Sequence, residues 1–269
     1  MNASAPIGIF DSGIGGLTVV RAVMDLLPHE SIIYFGDTAR VPYGIKSAET
    51  VKEYAEQITH FLVQKQVKMI LIACNTVTAA AEKEVKQIAG NIPVLGVIEA
   101  GVNAVMTKAL PHHKVAVIGT LATVGSGAYQ RLLEDRIKPV EVIAKPCSLL
   151  VPLAEEGWTE NEMAKLTVHH YLDPLKEQHI DALILGCTHY PLFRKTIEEV
   201  LDSPDIAIID SAASIAAMAK QVLEEQKLLN TETDGRFECY VSDKPQRFQA
   251  LAELFLGRTI ETVNVVHVA

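Results

Sequence analysis

Seven short runs of almost purely apolar residues recur along the chain, and each stops at a small or polar residue where an amphipathic stretch follows. Ile7-Gly8-Ile9-Phe10 stops at Asp11-Ser12-Gly13, Ser31-Ile32-Ile33-Tyr34-Phe35 at Gly36-Asp37-Thr38, and Met69-Ile70-Leu71-Ile72-Ala73 at Cys74-Asn75-Thr76. Val94-Leu95-Gly96-Val97, Lys114-Val115-Ala116-Val117-Ile118, Ala182-Leu183-Ile184-Leu185-Gly186 and Ile206-Ala207-Ile208-Ile209 follow the same rule. A strand that is apolar on both faces has to be covered on both, and helices between such strands give parallel connections. The fold class is therefore α/β with parallel sheets. Helices are expected over 17–27, over 48–64, after Cys74-Asn75-Thr76 to near Ile88, and over 101–110.

With 269 residues the chain can bury one large or two small cores. A net charge of −9 with no Lys/Arg run argues against nucleic acid or an anionic membrane as partner. The longest apolar runs fall far short of the roughly 18 residues of a membrane helix. The stretch Met1-Asn2-Ala3-Ser4-Ala5-Pro6 shows no secretory pattern, so a cytoplasmic location is expected.

Four cysteines, Cys74, Cys147, Cys187 and Cys239, include no CxxC pair, which argues against a zinc ribbon or a thioredoxin-type site. Cys147 and Cys239 read as buried, inert thiols. The other two belong to a repeat. Leu71-Ile72-Ala73-Cys74-Asn75-Thr76 resembles Ile184-Leu185-Gly186-Cys187-Thr188-His189, 113 residues on (74 to 187). Ile7-Gly8-Ile9-Phe10-Asp11-Ser12 resembles Val115-Ala116-Val117-Ile118-Gly119-Thr120, 108 residues on (12 to 120). Two related halves would each deliver one Cys at a strand's carboxyl end, the edge where open α/β sheets bind ligands.

A Cys at a helix start sits in the positive end of the helix dipole, which is expected to lower its pKa. His189 beside Cys187 is placed to move a proton near neutral pH. One such thiol suggests a nucleophile. Two, facing one small ligand, suggest that one takes a proton while the other returns one, which inverts a stereocentre. Plainer readings exist for single motifs. Asp11-Ser12 before Gly13 suits a helix cap, Pro42-Tyr43-Gly44 a surface turn, and Glu155 an exposed charge. Gly13-Ile14-Gly15-Gly16 fails the dinucleotide fingerprint because position 18 is Thr18. His112-His113 and His169-His170 lack Cys or acidic neighbours at metal spacing, and Trp158 is expected near the cleft edge.

Four segments together resemble glutamate racemase, the cofactor-independent member of the aspartate/glutamate racemase superfamily. They are Phe10-Asp11-Ser12-Gly13-Ile14-Gly15-Gly16-Leu17, Gly36-Asp37-Thr38-Ala39-Arg40-Val41-Pro42-Tyr43-Gly44, Ala73-Cys74-Asn75-Thr76 and Leu185-Gly186-Cys187-Thr188-His189-Tyr190-Pro191-Leu192. The resemblance implies two pseudosymmetric flavodoxin-like or Rossmann-like parallel-sheet domains with the active site in the cleft between them. The implied domains are 1–97 with 211–269, and 98–210. It implies interconversion of L- and D-glutamate by Cys74 and Cys187, with D-glutamate going to peptidoglycan synthesis. Asp11, His189 and Glu155 become the auxiliary groups, and adjacent Glu156 leaves open which glutamate faces the site. Substrate contacts carry over to Asp11, Ser12, Tyr43, Gly44, Asn75, Thr76, Thr188 and His189, with Thr120 a further candidate. No cofactor and no metal are implied, and a homodimer is a possible assembly. Rival readings are an aspartate racemase or other two-Cys epimerase, a thiol hydrolase with one nucleophilic Cys, and a two-lobed amino-acid-binding module.

Overall fold

The computed structural model describes residues 2–232 and 234–268; Met1, part of the N-terminal stretch read above, lies outside them. The chain begins with β1 (Ile7–Asp11), α1 (Leu17–Leu26), β2 (Ile32–Gly36), α2 (Ala48–Gln64), β3 (Met69–Ile72), α3 (Asn75–Ala89), β4 (Val94–Gly96) and α4 (Val97–Met106). It continues with β5 (Lys114–Gly119), α5 (Leu121–Gly125), α6 (Ala128–Arg136), β6 (Glu141–Pro146), α7 (Leu150–Glu155), α8 (Glu162–Lys176), β7 (Ala182–Gly186), α9 (Arg194–Leu201) and β8 (Ala207–Asp210). It closes with α10 (Ser211–Glu225), β9 (Phe237–Val241), α11 (Pro245–Leu256) and β10 (Val263–Val265).

All strand pairings are parallel and form two sheets, ordered β10-β9-β2-β1-β3-β4 and β6-β5-β7-β8. The order β2-β1-β3-β4 is repeated as β6-β5-β7-β8, so the similarity between the two Cys segments is also a similarity of strand position. Each order reverses direction at one point, between β1 and β3 and between β5 and β7. Ligands bind at such switch points, outside the carboxyl ends of the strands. Asp11 ends β1 and Cys74 follows β3 by two residues; Thr120 follows β5 and Cys187 follows β7.

Every residue of β1, β2, β3 and β7 is buried, as their apolar composition requires. The apolar face of α10, with Ile215, Ala216, Ala219 and Leu223, packs between α1 and α4. The helix expected over 101–110 instead spans Val97–Met106. Gly96, in extended conformation, caps it directly at the end of β4. Among the described residues no helix is long and apolar enough to cross a membrane.

One buried ion pair fixes the return of the C-terminal segment to the first sheet. Lys68 Nζ lies 2.5 Å from Glu30 Oε2 with both side chains out of solvent, and it also donates to the carbonyls of Leu228, at 2.8 Å, and Ala3. Glu30 Oε1 accepts the backbone N–H of Asn230 at 2.8 Å. The pair thus ties the entry to β2 and β3 to the stretch between α10 and β9.

Candidate active site

The loops at the carboxyl ends of β1, β3, β5 and β7 line one cavity of about 360 Å³, a size suited to a small molecule. Ser12, Tyr43, Gly44, Cys74, Asn75 and Thr76 come to it from the first half. Thr120, Glu155, Cys187, Thr188 and His189 come from the second. A larger groove of about 640 Å³, between α1 and α10, carries neither thiol.

Cys74 occupies the cap position of α3, and its thiol donates to Ser12 Oγ at 3.6 Å. The expectation of a lowered pKa fails here. Burial, reinforced by the charge of Asp11, pushes the thiol up to about 12, against the help of the Val77 and Ser12 N–H groups. Desolvation at the closed floor of the site outweighs the helix terminus. Asp11 is 1% exposed and lies behind Ser12 and Cys74, not on the cavity wall. Its Oδ2 accepts the Gly13 N–H at 3.0 Å. Burial raises its pKa, while the charge of His189 and nearby backbone N–H groups oppose the rise.

In the second half His189 connects two groups. Its Nδ1 stands 3.8 Å from Cys187 Sγ and its Nε2 3.3 Å from Glu155 Oε1. Burial works against the imidazolium, but the Cys187 sulfur, the Glu155 carboxylate and Asp11 outweigh it and hold the pKa up to about 10. The His189 hydrogen bond keeps Glu155 below the usual carboxylate range. Glu156 is exposed, so Glu155 is the glutamate that faces the site. Cys187 leads into a single 3₁₀ turn, Tyr190–Phe193, before α9, so it lacks the long helix that starts at Asn75.

Gly15 and Gly44 serve close approach between the halves. A Cβ at Gly15 would fall 2.3 Å from Thr188 Oγ1 and 2.5 Å from His189 Nδ1; a Cβ at Gly44 would fall 2.8 Å from Thr120 Cβ. Hydroxyls complete the seam: Thr76 Oγ1 lies 3.1 Å from Thr120 Oγ1 and 3.3 Å from Thr123 Oγ1.

Tyr43 lines the cavity with its ring, but its hydroxyl donates to Asp37 Oδ2. Asp37 is fully buried; it also takes Arg40 Nε at 2.6 Å and the Ser242 hydroxyl at 2.7 Å. Asp37 therefore fixes the loop that presents Tyr43 and Gly44. Sequence reasoning quoted it within a motif without assigning it this task. Ser148, Val151 and Pro152 also line the cavity and carried no signal in the sequence. Trp158 is half exposed just beyond α7 and is not part of the cavity wall. Cys147 and Cys239 are buried, and desolvation pushes each thiol up to about 12.

Comparison with known proteins agrees with this arrangement. The Asp/Glu/Hydantoin racemase pattern matches residues 17–219. A glutamate racemase of Syntrophus aciditrophicus is 47% identical over 262 residues, covering 97% of this chain and 96% of its own. The crystal structure of a Francisella tularensis glutamate racemase in complex with D-glutamate superposes with a TM-score of 0.92 at 42% identity, covering 98% of each chain. That of a Thermus thermophilus glutamate racemase in complex with β-chloro-D-alanine gives 0.89 at 44% identity, covering 99% of this chain and 98% of the other. By sequence pattern, near-full-length kinship and shared fold, the chain belongs to the Asp/Glu/Hydantoin racemase family, among the glutamate racemases, and is an amino-acid racemase.

Proposed function

We propose that the protein interconverts L- and D-glutamate by two-base proton transfer between Cys74 and Cys187, without pyridoxal phosphate, flavin or metal. The observation that carries this reading is the presence of both thiols, one from each half, on the wall of a single small cavity. One sulfur, as thiolate, takes the Cα proton. The C–H electron pair passes into the α-carboxylate system, and the opposite thiol gives its proton to the other face of Cα. Each turnover leaves the two sulfurs with exchanged protonation, so a proton has to return by way of solvent. Asp11 behind Cys74, and His189 with Glu155 beside Cys187, are the groups suited to that return. Burial and the charge of Asp11 favour the protonated form of Cys74, which suits it to deliver a proton to Cα. General acid–base transfer contributes about 10²–10⁴-fold. Fixed donors around the α-carboxylate, in a site with little water, supply the rest. Ser12, Asn75, Thr76, Thr120 and Thr188 are those donors in this reading, with the Tyr43-Gly44 loop as a further wall.

The division into 1–97 with 211–269 and 98–210 belongs to the same proposal, since β9 and β10 extend the first sheet. So do a cytoplasmic location, supply of D-glutamate to peptidoglycan and a homodimeric assembly, which rest on kinship with glutamate racemases. The test offers L-glutamate, L-aspartate and a hydantoin to the purified protein and follows loss of optical activity. Glutamate is expected to be turned over at least about 100-fold better than either. Comparable or faster turnover of aspartate or the hydantoin would overturn the substrate assignment.

The His189–Glu155 pair gives a pH prediction. The folded pKa of His189, about 10, lies above the ordinary value of about 6.5. Its contribution to folding stability is therefore fully present below about pH 6.5 and is lost as pH rises through 10. Glu155, held low, contributes above about pH 4.3 and loses that share as pH falls through its folded value. Glu155→Gln should bring the ring titration of His189, followed by NMR, down by a unit or more. The Tm advantage of the unaltered protein over this variant should be largest near pH 5–6.5 and shrink toward pH 10. An unmoved titration would contradict the pairing.

A further inference from the structure

Tyr129, on α6 in the second half, has no place in the mechanism above, yet it touches the neighbours of both thiols. Its side chain is buried. Its hydroxyl donates to Asn75 Oδ1 at 2.7 Å, and Asn75 follows Cys74 directly. Its ring packs against Gly186, the residue before Cys187, where an added Cβ would lie 3.2 Å from Tyr129 Cε2. Ser211, the first residue of α10, stands 3.4 Å from the same hydroxyl, placed to donate to it. Gly101 on α4 leaves room for the group, since a Cβ there would lie 3.1 Å from Ser211 Oγ and 3.4 Å from Tyr129.

The chemistry of a carboxamide makes this contact matter. Asn carries an acceptor at one end and two donors at the other, and only its hydrogen bonds decide which end faces a ligand. Asn75 lines the cavity, its Oδ1 is taken by Tyr129, and its N–H₂ group has no partner among the described residues. An amide N–H₂ on that wall donates to an anionic oxygen, which a glutamate carboxylate provides. If the amide were reversed, it would present an acceptor there and repel the same oxygen. We propose that Tyr129 is a positioning residue that sets the orientation of the Asn75 carboxamide, so that its N–H₂ group meets a substrate carboxylate. Burial raises the Tyr129 pKa and keeps the hydroxyl a donor throughout the working pH range.

This inference rests on the glutamate racemase reading, and the experiment separates the two. The unaltered protein, Tyr129→Phe, Asn75→Ala and the double variant are compared in steady-state racemisation of L- and D-glutamate. Tyr129→Phe keeps the ring against Gly186 and removes one oxygen. It is expected to raise KM for both enantiomers about 10-fold with a change in kcat of less than about 3-fold. In the Asn75→Ala background the same substitution is expected to leave KM unchanged, because the group it orients is gone. A Tyr129→Phe variant with unaltered KM, or an equal rise with and without Asn75, would overturn the proposal, the second outcome marking a merely structural role. If Tyr129→Phe does not fold, Ser211→Ala provides the test through the same chain. A KM rise of about 2–3-fold that disappears with Asn75→Ala supports the proposal, and an unchanged KM overturns it. Failure of the unaltered protein to racemise glutamate at all would instead overturn the functional reading.

Discussion

Cys74→Ala and Cys187→Ala are each expected to lower kcat/KM for glutamate racemisation by about 10³-fold or more, in both directions, without loss of fold. Each sulfur serves as base in one direction and as acid in the other, so removing either one interrupts both. The size follows from the 10²–10⁴-fold that a positioned acid or base contributes, taken here in a site where water cannot easily replace it. Both thiols are buried, so alanine leaves a small hole in place of a sulfur and no unpaired charge. Residual hydrogen exchange at Cα should be confined to one enantiomer in each variant and to opposite enantiomers in the two. A variant that keeps exchange of both enantiomers would show that the missing sulfur was not the group facing that side. A hydrolase with one nucleophilic Cys would behave differently, because one of the two substitutions would then be silent.

The second large effect concerns stability. Lys68→Ala leaves the Glu30 carboxylate buried without its cation, along with the carbonyls of Leu228 and Ala3 without their donor. Breaking a buried pair from one side costs about 3–5 kcal/mol. For a chain of this size that is a fall in Tm on the order of 10 °C. The double substitution Lys68→Met with Glu30→Gln should recover most of the loss, since no charge then stays buried and Gln still accepts the Asn230 N–H. Thermal unfolding of the three variants checks this. A loss in Lys68→Ala below about 1 kcal/mol would mean that the pair is hydrated and does not anchor the C-terminal return.

What could be read from the sequence followed from burial. Ile7–Asp11, Met69–Ile72 and Ala182–Gly186 are central strands, apolar on both faces, and their composition alone located them and the polar residues at their ends. Strands β6 and β9 were silent for the converse reason. Glu141–Pro146 has no fully buried residue and Phe237–Val241 buries only Cys239 and Val241, a pattern too weak to separate from loop. The place of β9 beside β2 depends on long-range pairing, and on Lys68 meeting Glu30, neither of which leaves a local mark. At the site, the two Cys and the residues directly after them were visible because they lie at strand ends. Electrostatics was not. Cys74 was expected to be acidic from its helix terminus, and burial reverses that. Tyr43 lines the cavity, but nothing in its local sequence reveals that its hydroxyl is given to Asp37. Tyr129 sits on α6 with nothing in its neighbourhood of the sequence to connect it with Asn75, 54 positions away. Gly15 could be mistaken for part of a nucleotide loop until Thr188 and His189 are seen to fill the space of its missing side chain.

The measurement that bears most directly on paired thiols is racemisation of L-glutamate by the unaltered protein in heavy water, sampled before a tenth of the substrate has turned over. Two bases of opposite hand require that nearly every D-glutamate molecule formed carries one deuterium at Cα while the remaining L-glutamate keeps its protium. Deuterium appearing equally in the unconverted L-glutamate, or product that retains the original hydrogen, would mean that a single group handles the proton on both faces, and the account built on Cys74 and Cys187 would be wrong.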